Sequence, residues 1–397
     1  MITRLIGKLT FWKALGIVFI LGGLVSGAAR FIFGLGATTH LSDSTPWGIW
    51  IGFDVVTGVG LAAGGFTLCG IVYIFNIKRF KPIVRPTVLT AFLGYLLVVV
   101  GLMFDLGRPW AIWHAIVMWN PHSVMFEVAW CVMLYTTVLA LEFSPVLLER
   151  FHLTKALKVV KAITIPLVIA GILLSMLHQS SLGSLYLIVP EKMHPFWYSP
   201  MLPVFFFVSA LAVGMGMTIV ESYLSARAFN KTLETPLLKD LSRMMVGVAA
   251  VYVMMRFLDM LHGNKFALVG WNMESGMLTL EMALFFAIPL VIHNVRFGQT
   301  RLGMFLGAMS VVLGFVTNRL NVAMTSLERY YGNVYFPSIG ELFVTAAVVS
   351  AGFWIFSLAV KHLPIFVDAH EEKDMVRLTP VMRPVVEEPR TAASAQA

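Results

Sequence analysis

The stretch Ile163–Leu187, "ITIPLVIAGILLSMLHQSSLGSLYL", decides what kind of molecule this is. Up to Leu177 it is apolar apart from Thr164 and Ser175, and it carries no charge. A run of this length and character reads as the end of a membrane-spanning helix. Then His178, Gln179, Ser180 and Ser181 arrive in succession. The span is predicted to close there, over about residues 158–178, which puts proton-exchanging side chains at a membrane interface.

The rest of the chain repeats the pattern. Of its 397 residues, 58% are hydrophobic and 13% charged, against about a quarter charged in soluble domains. Mean hydropathy is +0.82. Ten apolar segments are long enough to cross a bilayer: about 12–33, 50–76, 87–106, 122–145, 158–178, 202–226, 242–262, 275–294, 300–318 and 338–361. The short alternating segments of a β-barrel do not occur. The fold class is therefore all-α integral membrane. The first segment has basic flanks and continues past "SGAA", so it reads as a retained span rather than a cleaved signal. Cys69 and Cys131, the two cysteines, exclude a disulfide framework and an iron–sulfur cluster held by this chain alone.

Charge sets the expected orientation. Of the 29 Lys and Arg, 22 lie in the N-terminal segment, the even-numbered connections and the C-terminal segment, and five in the odd-numbered connections. The positive-inside rule then places both termini in the cytoplasm and "HQSSLGS" toward the periplasm of a bacterial inner membrane. The net charge of +8 is thus topological, and nucleic acid is not an expected partner. The odd-numbered connections are rich in Trp and Tyr, which suits both an interfacial belt and a docking platform for a partner protein. Residues 1–366 read as the membrane domain, and 367–397 as a disordered cytoplasmic tail of Glu, Pro, Ala and Ser.

Charges inside a span are costly and ask for a partner or a task. Arg30, Asp54, Asp105, Glu127, His178, Arg256, Asp259 and Glu281 fall in the predicted outer halves of their spans, with Glu142 and Glu221 near inner ends. The mid-membrane zone reads as almost free of charge. Arg256 and Asp259 are i,i+3 on one helix and can pair or face one cavity. Asp105 and Arg108 flank Gly107 at a helix end. Ion-pair glue between helices explains part of this set; so many carriers at one depth also fit a shared pocket.

None of the ten histidines reads as mid-span, and only His178 and His262 could make one haem pair. No C-x-x-C-H is present. The glycines of "TGVGLAAGG", Gly60 and Gly64 among them, read as close helix packing rather than a dinucleotide loop. Protonatable groups on one side, without an electron carrier, fit quinone reduction, which takes electrons from elsewhere and protons from the protein. An ion transporter is the other reading, and it asks for charge at the midplane.

The segments "RFIFGLG", "PWGIWIGFDVVTGVGLAAGG", "DLGRPW", "HSVMFEVAWCVMLYTTVLALEFSP", "LHQSSLGSLYL", "MHPFWYSPMLP" and "YFPSIGEL" together resemble the NrfD/PsrC family of quinone-interacting membrane subunits. The similarity is greatest to its HybB branch, which serves periplasmic nickel–iron uptake hydrogenases. The resemblance runs from Arg30 to about Pro364. It implies two four-helix bundles, spans two to five and six to nine, with one accessory helix at each end and no haem. It also implies partners: a periplasmic ferredoxin-like iron–sulfur subunit and the large and small [NiFe] hydrogenase subunits, passing electrons to menaquinone near the periplasmic face. A multihaem cytochrome or a molybdenum oxidoreductase is the alternative donor. The matching positions are Asp54, Asp105, Arg108, Glu127, His178 with Gln179 and Ser180, and Arg256. His178 is expected to protonate the quinone, with Asp105, Asp54 or Glu127 assisting and Asp259 beside Arg256. Gly183 and the serines are expected to leave room for the head group. Glu142 and Glu221 fall in matching stretches and are expected to start a proton path from the cytoplasm, with supply from the periplasm as the alternative.

Overall fold

A computed structural model describes residues 10–43, 45–230, 233–332 and 334–366 of the chain. The expected tail, 367–397, and the basic residues Arg4 and Lys8 lie outside the described residues. Among the described residues, ten helices are long and apolar enough to cross a membrane: α1 (Phe11–Phe33), α2 (Trp50–Ile74), α3 (Lys78–Asp105), α4 (Val124–Arg150), α5 (Thr164–Ile188), α6 (Leu202–Phe229), α7 (Thr235–His262), α8 (Met273–Asn294), α9 (Arg301–Tyr331) and α10 (Ile339–His362). Among the described residues there is no β-strand beyond one isolated bridge, Ser42–Thr45. The protein is an all-α, multi-pass membrane protein. Helices satisfy every interior backbone group within the segment, as hydrocarbon demands. Their exposed first turns are met by side chains: Ser123, Asn272, Thr300 and Ser338 accept backbone N–H groups at the starts of α4, α8, α9 and α10.

Two predicted spans differ in a way that matters. The residues from Thr154 to Ala162 form a separate helix with three lysines, and α5 begins only at Thr164. It then continues past His178 to Ile188, so "HQSSLGS" is helix interior and not a loop. Likewise α9 runs thirteen residues beyond the predicted end at 318. In both places the polar residues that suggest an interface include side chains buried by neighbouring helices, among them His178, Gln179, Ser181, Arg319 and Asn321.

The contacts close α2, α3, α4 and α5 into one four-helix bundle and α6, α7, α8 and α9 into a second. The bundles meet through α2, α5, α6 and α9. In α2 and α6 the buried shares are 83% and 67%, against 17% and 11% in α1 and α10, so the former are the spine and the latter the periphery. The terminal helices pack along each other and against α3, forming a pair on one side. Small residues make the spine possible: a Cβ on Gly64 would stand 3.1 Å from the Gly214 carbonyl oxygen, and one on Gly214 would stand 2.9 Å from the Ala63 backbone. Without a hydrophobic drive inside lipid, such close backbone approach is a main source of packing energy.

Candidate functional site

The residues singled out in the sequence do not converge on one pocket. They divide among four polar centres.

The first lies inside the α2–α5 bundle. His178 is fully buried, the fifteenth of the 25 residues of α5, and therefore mid-span rather than at a helix end. Its Nδ1 is 3.0 Å from the Tyr95 hydroxyl on α3. Tyr95 in turn packs edge-on against Tyr135 of α4, with ring centroids 4.7 Å apart. Ser175, one turn before His178 on α5, stands beside both phenols. His178 Nε2, Tyr135 OH and Ser175 Oγ have no hydrogen-bonding partner among the described residues. One turn nearer the odd-numbered connections, Ser181 donates to Glu127 Oε1 at 2.5 Å. Gln179 is buried and donates to the Val59 carbonyl at 3.2 Å, tying α5 to α2. Ser180 is half-buried. Gly183 does not leave room for a ligand: a Cβ there would meet the Leu202 and Pro203 backbone at 2.7 Å, so the start of α6 fills that space.

The second centre lies where α1, α2, α3 and α10 meet. Asp54 accepts from Thr345 of α10 at 2.8 Å, in a widened π-helical turn over Trp50–Thr57. Such turns recur at functional sites. Arg30 donates to the Phe104 and Leu106 carbonyls at the end of α3, and it, rather than Arg108, is the cation within electrostatic reach of Asp105. Arg108 is exposed and makes no ion pair among the described residues. Asp105 keeps one buried oxygen, Oδ1, without a hydrogen-bonding partner among the described residues. Glu341, buried at the start of α10, bonds the Tyr335 hydroxyl and the His40 and Ser338 amides.

The third centre fills the α6–α9 bundle and was largely missed. Glu281 is fully buried and accepts from Trp197 at 3.0 Å, Asn318 at 2.8 Å and Asn321 at 3.1 Å, with Arg256 3.9 Å away. Arg256 also donates to the Phe196 carbonyl at 3.0 Å. Arg319 donates to Asn318 at 2.5 Å, to Ser209 at 2.8 Å and to the Phe206 carbonyl at 3.1 Å, over the Phe206 ring. It is residue 19 of 31 in α9, so the mid-membrane zone is charged after all. The charge-free midplane therefore cannot be used against a transporter. Asn321 opens a π-helical turn, and another follows Glu281 at Ala283–Ala287. The available signal was the polar run Asn318–Arg319…Asn321 inside an apolar setting, which reads as a helix end unless α9 is known to continue.

The fourth is a largely buried ion pair between α7 and the connection that follows it. Asp259 accepts from Ser199 at 2.5 Å and Lys265 at 2.6 Å, so it does not partner Arg256.

Glu142 and Glu221 occupy different inter-helix spaces. Gly171 of α5 packs at the Glu142 carboxylate. Glu221 lines a cavity of about 660 Å³ together with Asp54 and Thr90. As for metals, no group of three or more His, Cys, Asp or Glu gathers among the described residues. The conceivable haem pair is not formed: His178 is buried on Tyr95, while His262 is exposed at the end of α7.

Residues 37–330 match the family model described as polysulphide reductase, NrfD. The chain is 32% identical over 342 residues to the probable Ni/Fe-hydrogenase 2 b-type cytochrome subunit of Escherichia coli, covering 85% of this chain and 87% of the relative. It is 37% identical to a protein of Nitratidesulfovibrio vulgaris, covering 90% and 95%. The menaquinone reductase integral membrane subunit of the same organism is 27% identical, with 91% and 93% covered. A family match across most of its length and a 32% identical relative of nearly equal extent place the chain: it belongs to the NrfD family.

Proposed function

We propose that the chain is the quinone-reducing membrane subunit of a respiratory complex, passing electrons from a periplasmic nickel–iron hydrogenase, through a ferredoxin-like iron–sulfur subunit, to menaquinone. The observation that carries this reading is His178: a fully buried imidazole, held at Nδ1 by Tyr95 and unpartnered at Nε2, in a chain of the NrfD family. Quinone reduction delivers two protons to carbonyl oxygens. With the phenol donating to Nδ1, Nε2 carries the hydrogen and donates it to such an oxygen. Glu127 and Ser181 extend the chain of exchangeable protons from His178 toward the odd-numbered connections. Gln179 and Ser180 flank the imidazole on α5. Asp54 on α2 and Asp105 at the end of α3 serve as acidic groups bordering the site and Arg108 as a docking cation. Arg256 and Asp259 we assign to the scaffold, because each is already bonded.

Lys and Arg asymmetry supports placing the odd-numbered connections in the periplasm, where their exposed aromatics Trp110, Trp113 and Trp119 offer a docking surface for the electron-donating subunit. Coupling to proton translocation is part of the proposal: Glu221, on the cavity that reaches Asp54, gives an entry from the other face, with Glu142 as a second carboxylate. A second reading changes only the donor. The likeness to a menaquinone reductase subunit favours it, with a multihaem cytochrome or molybdenum enzyme in place of the hydrogenase.

The complex purified with its native partners should contain menaquinone and reduce a quinone analogue with hydrogen. Quinone reduction with another donor but not hydrogen would select the second reading. Absence of both bound quinone and quinone reduction would sink both readings and leave the transporter. Glu142→Gln and Glu221→Gln should lower charge moved per electron; no change in either removes the proton entry.

A further inference from the structure

On the quinone reading of His178, we propose that its protons arrive along the seam between α4 and α5, from Glu142 by way of Ser175 and Tyr135. On α4, Glu127, Cys131, Tyr135, Val138 and Glu142 recur at intervals of four, four, three and four residues, so they share one face. The facing positions on α5 are Gly171, Ser175, His178 and Ser181. Contacts at both ends fix the antiparallel register. Ser181 donates to Glu127, and a Cβ on Gly171 would stand 3.2 Å from Glu142 Oε1 and 3.3 Å from Val138. From Glu127 to Glu142 the stripe runs 15 residues, about 22 Å of the roughly 30 Å of a bilayer's hydrocarbon.

Exchangeable groups without fixed partners stand where a relay needs them. Ser175 and Tyr135 are buried, and neither Ser175 Oγ nor Tyr135 OH has a hydrogen-bonding partner among the described residues. Both stand beside Tyr95, whose hydroxyl is 3.0 Å from His178 Nδ1. A seam built for packing alone is better served by Ala and Phe, since an unpaired buried hydroxyl costs about 1–3 kcal/mol. Glu142 is half-buried, lies within electrostatic reach of Tyr135, and makes no hydrogen bond or ion pair among the described residues. A side chain at Gly171 would crowd its carboxyl. Without one, the carboxyl can swing along α5 over the four residues, about 6 Å, from Gly171 to Ser175. Glu221 is less well placed. Its cavity is lined by Gly94 and Leu97 of α3, whereas Tyr95 turns its hydroxyl to His178 inside the bundle.

The protons balance step by step. His178 releases its Nε2 proton to a quinone oxygen as the donor subunit supplies electrons, and quinol formation takes up equal numbers of both. Tyr95 passes its hydroxyl proton to Nδ1 and recovers one from Tyr135 or Ser175, which the Glu142 carboxyl refills. Glu142 takes its own from water on the side of the even-numbered connections. Each group turns back before the next proton passes.

The test uses the complete complex in vesicles, electron-donating subunits outward, with hydrogen as donor, a menaquinone analogue as acceptor and a pH-sensitive dye inside. Quinone reduction by the wild type should make the interior alkaline in proportion to the quinone reduced. Tyr135→Phe, Ser175→Ala and Glu142→Gln should each lower kcat about tenfold, less than loss of the acid itself, with interior alkalinisation falling in step and KM unchanged. Only complexes in which hydrogen still reduces a soluble dye are compared. Ser175→Ala, the smallest change, is read alone should the other two not assemble. Wild-type kcat in the variants, or proton uptake from the outside, would overturn the seam while leaving His178 in place. A raised KM at unchanged kcat would mark a packing role and overturn it equally. A wild-type complex that reduces no quinone would instead remove the quinone reading itself, so the two failures are told apart.

Discussion

His178 shows what a single residue can and cannot disclose. Its chemistry was legible, because a histidine inside an apolar run asks for a task, but its depth was not. Tyr95 and Tyr135, which complete its surroundings, looked like ordinary apolar-span tyrosines 83 and 43 positions away in the chain. Tyr95→Phe removes the hydroxyl at Nδ1 and should slow quinone reduction several-fold, in line with about 1 kcal/mol for one hydrogen bond. Unchanged kinetics would mean that the bond does not orient the ring. Outside the spans, His194 sits buried in the α5–α6 connection with its amide bonded to the Ser326 carbonyl at 2.7 Å. Burial lowers its pKa from the ordinary 6.5, with Arg329 lowering it further against Glu274. The unfolded chain then binds the proton more readily, so stability should fall as pH drops below about 6.5. His194→Gln should flatten that limb of the melting-versus-pH curve.

Among elements, the positions of all ten helices followed from hydropathy, and the bundle pairing from the family resemblance. The ends of α5 and α9 did not. Hydropathy scores a residue without knowing which side of the helix it occupies, so polar groups facing a neighbour look the same as polar groups facing water. The π-helical turns at Asp54, after Glu281 and at Asn321 were also invisible, since they answer to packing rather than to local propensity. Glu281 is the negative centre for Arg256 and for the Asn318–Arg319 pair. Glu281→Ala should destabilise the α6–α9 bundle by about 3–5 kcal/mol, the cost of leaving buried charge uncompensated. A melting temperature equal to the wild type would remove Glu281 from the scaffold. Glu281→Gln, which keeps the amide-bonding shape, should lose less.

For the whole molecule, the architecture places two polar centres inside the two bundles and two more near the odd-numbered connections. The charge bias predicts how this body sits in the membrane. An alkaline phosphatase fusion within residues 189–201 should be active, and one within Arg296–Gln299 inactive. The reverse pattern would invert the proposed electron entry. With the orientation fixed, the account comes down to proton delivery from the first bundle. The most direct measurement compares His178→Gln with wild type in the complete complex, using hydrogen to reduce either a soluble dye or a menaquinone analogue. Dye reduction should be preserved while quinone reduction falls by roughly a hundredfold, as for loss of a general acid. Quinone reduction near the wild-type rate, with the complex intact, would contradict the role given to His178.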